Sequence, residues 1–299
     1  MNHIFRNLHV RHLQSGTCII VYMDDILIAT SSTLAAHEWA VHNVLTRLEE
    51  HDLYLKPEKC IWETPSIDYL GVILEKGVTR MDPIKISGIA DWPIPKTVKD
   101  VRSFLGFCNF YWAFIRGFAN IAHPLNQLTW KDVEWTWGPA EQQAFDDLRQ
   151  RVTAELVLKQ PELDKPFELE VDASGFAVGA VLLQREDNKQ HPIGYYSATL
   201  IKAERNYDIY DLELLTIVKA LWNWQPFLVG SLHIITVHTD HANLQYWCQP
   251  HKISRRIARE VAELAKYNVV LQHIPGKANH CMHSNLFRWN KAWEKLKKR

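Results

Sequence analysis

The stretch Cys18-Ile19-Ile20-Val21-Tyr22-Met23-Asp24-Asp25-Ile26-Leu27-Ile28-Ala29 decides how the first part of the chain folds. A β-branched, apolar run reaches Tyr22, two aspartates interrupt it, and the apolar run resumes, which is the pattern of strand, tight turn and strand. Ionised carboxylates beside buried strands are costly unless a cation or hydrogen bonds compensate them. Asp24 and Asp25 therefore have two readings. One is a solvent-exposed turn, where aspartate is ordinary. The other is a divalent-cation site, because Mg²⁺ takes oxygen ligands and is held by one or two carboxylates together with substrate phosphates.

Working outward from this hairpin, Val41, Val44, Leu45 and Leu48 recur at helical spacing and predict an amphipathic helix over 34–51. The runs Tyr69-Leu70-Gly71-Val72-Ile73-Leu74 and Gly77-Val78 predict a hairpin. Pro83, Pro93 and Pro95 punctuate the next segment, with a loop at 91–95, a helix over 98–107 and a boundary near residue 80. A further helix is expected over 139–156, and Pro161-Glu162-Leu163-Asp164-Lys165-Pro166 reads as a linker. Beyond it, Phe167-Glu168-Leu169-Glu170-Val171 alternates as a strand does. A long helical pattern comes next over 203–224, with Leu214, Leu215, Val218 and Leu221 on one face. A strand at 234–237 and a helix over 254–266 complete the reading.

The 299 residues suit two or three domains with cores of their own. Lys and Arg total 34 and Asp and Glu total 34, so charge neither marks nor excludes a nucleic-acid partner. The five cysteines, Cys18, Cys60, Cys108, Cys248 and Cys281, form no C-x-x-C pair, which argues against a zinc site or a disulfide framework. The start lacks the pattern of a signal peptide, and no uncharged run approaches the ~20 residues of a bilayer span. The expectation is an intracellular protein with no membrane partner, in the nucleus or in a cytoplasmic particle.

A second acidic set occurs later. Val171-Asp172-Ala173-Ser174 places a carboxylate inside a strand, Glu213 sits on the predicted helix, and Thr239-Asp240-His241 ends another strand. Singly these are weak signs of metal binding, because exposed acids are common. Arg255, Arg256, Arg259 and Lys277 read either as a solvated face or as cations meeting phosphates without reading bases. Tyr195, Tyr196 and Tyr207 read as core or strand-face residues rather than stacking platforms.

Taken together, these motifs resemble the Pol polyprotein of gypsy-type LTR retrotransposons. Tyr22-Met23-Asp24-Asp25 is similar to the Y-x-D-D hairpin of reverse transcriptases, and His51-x-Leu53-x-Leu55-Lys56-Pro57-Glu58-Lys59-Cys60 is similar to the segment downstream of that hairpin in these elements. Tyr69-Leu70-Gly71 resembles the primer-gripping hairpin. Asp91-Trp92-Pro93-x-Pro95, Val101-Arg102-Ser103-Phe104-Leu105-Gly106 and Ile121-Ala122-His123-Pro124-Leu125 resemble the thumb region. The D-A-S at 172–174, Asp211-x-Glu213-Leu214-Leu215 and the T-D-H at 239–241 resemble the ribonuclease H domain of the same elements.

The resemblance implies an α+β / α/β architecture: part of a reverse transcriptase palm and a helical thumb, then a ribonuclease H-like domain with a mixed sheet flanked by helices. The expected divisions are 1–78 for the palm part, 79–160 for thumb and connection, 161–290 for the nuclease and 291–299 for a basic tail. It implies nucleotidyltransferase and endonuclease chemistry with two Mg²⁺ per active site, or Mn²⁺ in their place. Asp24 would hold metal at the polymerase site with support from Asp25, and Asp172, Glu213 and Asp240 would do so at the nuclease site. Leu70, Gly71, Arg255, Arg256, Arg259 and Lys277 would contact nucleic acid. The implied partners are RNA–DNA hybrid and primer-template, with deoxynucleotides only if the missing part of the palm is supplied.

The chain also departs from the pattern. The strand supplying the third polymerase carboxylate is expected upstream of Met1, so the chain alone is not expected to polymerise DNA. Gly276-Lys277-Ala278-Asn279 is kept, but Cys281-Met282-His283-Ser284-Asn285-Leu286-Phe287-Arg288 has no aspartate, and either His283 or Ser284 stands at the fourth nuclease acid. Trp112, Ala113, Leu212 and Trp130 stand where basic residues are usual in the family. The alternative expectation is a catalytically eroded copy that at most binds hybrid.

Overall fold

The computed structural model describes residue 4 and residues 16–154, 157–239, 263–273 and 287–288. The chain divides into two compact units, Met1–Tyr69 and Leu70–Arg299.

In the first unit, β1 (Thr17–Tyr22) pairs antiparallel with β2 (Asp25–Thr30), in a register from Thr17 opposite Thr30 to Tyr22 opposite Asp25. The two-residue connection Met23-Asp24 closes the ribbon, with Met23 at φ 54°. Such a left-handed residue matches the right-handed twist of the flanking strands. Helix α1 (Leu34–Glu50) starts where the Thr33 side chain accepts from the Ala36 amide. Its residues Ala40, Val44 and Leu48 recur every four positions and are buried; Val44 and Leu48 cluster with Ile19, against which Val21, Ile26 and Ile28 also pack. Strand β3 (Ser66–Tyr69) ends the unit.

The second unit opens with β4 (Val72–Glu75) and β5 (Val78–Met81), antiparallel to each other, and β5 also pairs antiparallel with the later β6 (Val157–Lys159). Between them lie α2 (Pro83–Ala90), α3 (Val98–Phe110), α4 (Phe118–Gln127) and α5 (Pro139–Thr153). Helix α2 begins with Asp82 accepting from the Ile84 amide and proline at the first turn. Neither α2 nor α4 is evident from sequence spacing, and α3 runs three residues past the expected end at 107. These helices share a core that includes Ile89, Val101, Phe104, Leu125, Phe145 and Leu148.

The rest of the unit is built on a six-stranded mixed sheet, in the order β12-β11-β10-β7-β8-β9. It comprises β7 (Phe167–Ala173), β8 (Ala177–Glu186), β9 (Lys189–Thr199), β10 (Ile235–Thr239), β11 (Val269–His273) and β12 (Phe287–Arg288). Strand β10 runs parallel to both β7 and β11, and the other pairs are antiparallel. Helix α6 (Ile209–Asn223) packs on β7 and β8. The helical pattern expected from 203 begins at 209. Glu204–Asn206 forms only a single 3-10 turn, and Tyr207 and Asp208 are extended, so regular bonding restarts where the Leu212 amide reaches the Asp208 carbonyl. Leu214, Val218 and Leu221 join the sheet core, while Leu215 joins Leu212, Val178 and Leu200 in a neighbouring cluster. The expected mixed α+β architecture is thus present. No helix among the described residues is long and apolar enough to cross a membrane.

Candidate active sites

In the first unit the ribbon carries Asp24 in its turn and Asp25 at the first position of β2, and both are exposed. The local reason is the two-residue loop, which leaves their carboxylates at the tip while Ile19 and Leu27 are buried. The Tyr69 phenol is pushed above its usual titration range, mainly by burial and secondarily by the negative charge of Asp25. This tyrosine, which sequence reasoning placed only in the next hairpin, therefore belongs to the surroundings of Asp25.

Leu70 and Gly71 belong to the second unit and lie between β3 and β4 at φ 53° and 80°. A Cβ at Gly71 would come 2.9 Å from Phe110 Cζ and 2.5 Å from Lys85 Nζ, so glycine is required both by backbone conformation and by space. The Gly71 carbonyl accepts from the Tyr111 hydroxyl at 3.1 Å. Tyr111 is 1% exposed and fixes this turn, a role with no signal in the local sequence.

The acids of the second set come from separate elements. Asp172 is exposed on β7, opposite Gly179 of β8. Glu213 is 1% exposed on α6, where Thr216 is the other buried polar side chain among the described residues of the helix. The Thr239 hydroxyl, at the end of β10, donates to Glu213 Oε2 at 3.2 Å and ties helix to strand. Thr239 is a positioning contact that sequence reasoning missed, although it stands in the T-D-H motif. Asp240, Arg255, Arg256, Arg259 and Lys277 lie outside the described residues, as do His283 and Ser284. Among the described residues no three or more histidine, cysteine, aspartate or glutamate side chains gather as a metal site. The donors that are described, carboxylate oxygens without thiolate or imidazole, suit Mg²⁺ or Mn²⁺.

On β7, Glu168 accepts from Arg185 Nε and Nη2 at 2.9 and 3.1 Å and from Gln190 at 2.8 Å, with His238 Nε2 at 3.3 Å. His238 first, then Arg185 and Gln190, hold this carboxyl far below the usual range against the opposing effect of burial. The cluster fastens β7, β8, β9 and β10 together. Of the tyrosines, Tyr196 stands edge-on to Trp224 and Trp112, as a core residue would. Leu212 and Trp112, where the family usually has basic residues, are thus taken up in packing.

Comparison with known proteins finds two matched stretches. The family model for reverse transcriptase (RNA-dependent DNA polymerase) matches residues 1–74, and that for an RNase H-like domain found in reverse transcriptase matches residues 137–237. The transposon Tf2-3 and Tf2-7 polyproteins of Schizosaccharomyces pombe are 37% and 36% identical over 266 residues, which is 88% of this chain and 20% of each relative. The chain thus spans a fifth of the length of these relatives. Among solved structures, the foamy viral protease-reverse transcriptase in complex with RNA/DNA hybrid has a TM-score of 0.70 at 20% identity, over 95% of this chain and 38% of that one. The same protein in complex with dsDNA has a TM-score of 0.67 at 19% identity, over 93% of this chain and 59% of that one. With a polymerase match at one end, a nuclease match further on and transposon relatives aligned across both, the chain belongs to the reverse transcriptase and ribonuclease H family of LTR retrotransposon polyproteins.

Proposed function

We propose that residues 161–290 form a metal-dependent nuclease acting on RNA–DNA hybrid, and that 1–78 and 79–160 are palm and thumb parts of the polymerase that handles primer-template. The observation that carries the nuclease reading is Glu213. It is a carboxylate 1% exposed in the interior of this unit, and the Thr239 hydroxyl holds its orientation by donating to Oε2. Asp172, exposed on the strand that runs parallel to β10, is the second donor. Asp240, next in sequence to Thr239, is the third. Bound Mg²⁺ would supply an activated water for attack on the RNA phosphate and stabilise the departing 3′-oxygen. The chain's own part is to fix the carboxylates, through the β7–β10 register and the Thr239 bond. At the hairpin, Asp24 is the principal donor and Asp25 its support; in the second unit, Leu70 and Gly71 contact the primer-template.

The test is cleavage of an RNA–DNA hybrid by the whole chain with and without Mg²⁺. Weak cleavage is expected, because no aspartate occurs in Cys281–Arg288. Asp172→Asn should lower it by at least about a hundredfold, the upper end of the loss that a mere supporting partner brings. Introducing aspartate at His283 or Ser284 should raise it. Hybrid binding with no cleavage in any variant would leave the eroded, binding-only reading in its place.

A further inference from the structure

Helix α4 lies between two cores. Phe118, Ala122 and Leu125 face the helical core, whereas Ala119, Asn120 and His123, on the adjacent stripe, face the nuclease sheet. The Ala119 amide donates to Ser197 Oγ of β9 at 2.8 Å, which satisfies one of the amides left without a partner at a helix start. Asn120 Oδ1 lies 3.3 Å from Ser174 Oγ. The His123 ring stacks on Phe176, with centroids 4.7 Å apart and planes 30° apart.

Ser174 and Phe176 belong to the turn directly after Asp172 and Ala173. That turn is already closed on itself. The Ser174 amide donates to the Ala177 carbonyl at 2.8 Å, the Ala177 amide donates back to Ser174 Oγ at 3.1 Å, and the Leu200 amide reaches the Phe176 carbonyl at 2.8 Å. Ser174 Oγ also lies 2.8 Å from the Ala177 carbonyl, and its single proton serves only one acceptor at a time. Asn120 and His123 therefore touch both ends of the turn that ends β7, two residues beyond Asp172, which is itself paired opposite Gly179.

We propose that α4 is a positioning element of the nuclease site: Asn120 and His123 clamp the Ser174–Phe176 turn and so fix the Asp172 carboxylate for a divalent cation. This rests on the nuclease reading. Groups that orient metal ligands are worth ten- to a hundredfold in affinity, although they never touch the metal. The helix that completes the helical core would thereby also tune the nuclease.

The experiment uses the whole chain, with Mn²⁺ as the probe. Its affinity is followed by calorimetry, and amide exchange is followed over 172–179. Asn120→Ala with His123→Ala should weaken Mn²⁺ binding about tenfold and raise exchange in the turn. His123→Phe, which keeps a stacking ring, should restore the affinity that His123→Ala loses. Leu125→Ala, on the other face of α4, should lower Tm and leave Mn²⁺ affinity unchanged. Unchanged affinity in the double variant, with Asp172→Asn abolishing binding, would overturn the clamp and leave the nuclease reading standing. Absence of Asp172-dependent binding in the unaltered chain would overturn both.

Discussion

Asp24 and Asp25 sit at a turn whose two strands are joined by a two-residue loop, and both carboxylates are exposed. Glu213 is buried on a helix and meets Thr239, 26 residues further along the chain, while Asp172 comes from a third element. The first pair is brought together by local geometry and needs little burial to exist. The second set depends on a parallel strand pair and a packed helix, so its precision is bound to the stability of a large core. The difference separates acids that a short motif places by itself from acids that stand on elements joined only by long-range packing.

The sharpest test of this comparison is to weaken each core. Leu169, fully buried on β7, lies in the cluster beneath α6, and Leu169→Ala should cost about 3 kcal/mol. Leu48 is 3% exposed in the small cluster beneath the hairpin, where neighbours can close around a cavity, and Leu48→Ala should cost about 2 kcal/mol. Amide exchange in β7 and in β1 reports each loss separately. A larger loss for Leu48→Ala would break the distinction.

Glu168 provides a second, smaller test. Its folded carboxyl titrates far below the unfolded value, so its contribution is fully present above the ordinary carboxylate range and is lost progressively as pH falls from that range toward the much lower folded value. Glu168→Gln should cost about 2 kcal/mol at neutral pH, the scale of a hydrogen bond to a charged group. The fall in Tm between about pH 6 and about pH 3 should be shallower in Glu168→Gln than in the unaltered chain. Equal slopes would show that the sheet holding the nuclease acids does not depend on this charge.

The smallest effect probes local geometry alone. At Gly71, φ 80° and the approach of Phe110 predict that Gly71→Ala costs about 1–2 kcal/mol, read from thermal melting. If Gly71→Ala were neutral, the left-handed turn at the proposed primer grip would be less constrained than its conformation implies.

Much of this was legible in advance because the signals are local. Apolar runs interrupted by two aspartates mark β1 and β2, alternation marks β7, and helical spacing of Val41, Val44, Leu45 and Leu48 marks α1. Helices α2 and α4 escaped. Asp82-Pro83 is a helix-start signal, but the helix it opens is short, and α4 carries Pro124 inside it, which reads as a breaker. The start of α6 was misplaced because Glu204–Asn206 has the composition of a helix and the conformation of a separate turn.

For the sites, the chain's own text singled out Asp24, Asp25, Asp172 and Glu213 and the motifs around them, because those motifs are contiguous in the chain. It also determined the hairpin at Asp24 and Asp25, since two residues between apolar strands leave few alternatives. Only the tertiary structure decided that Glu213 is buried and tied to Thr239, that Tyr111 fixes the Gly71 turn, and that α4 grips the turn after Asp172. These contacts join residues far apart in sequence, and neither periodicity nor spacing carries information about which distant side chains packing will bring within hydrogen-bond reach.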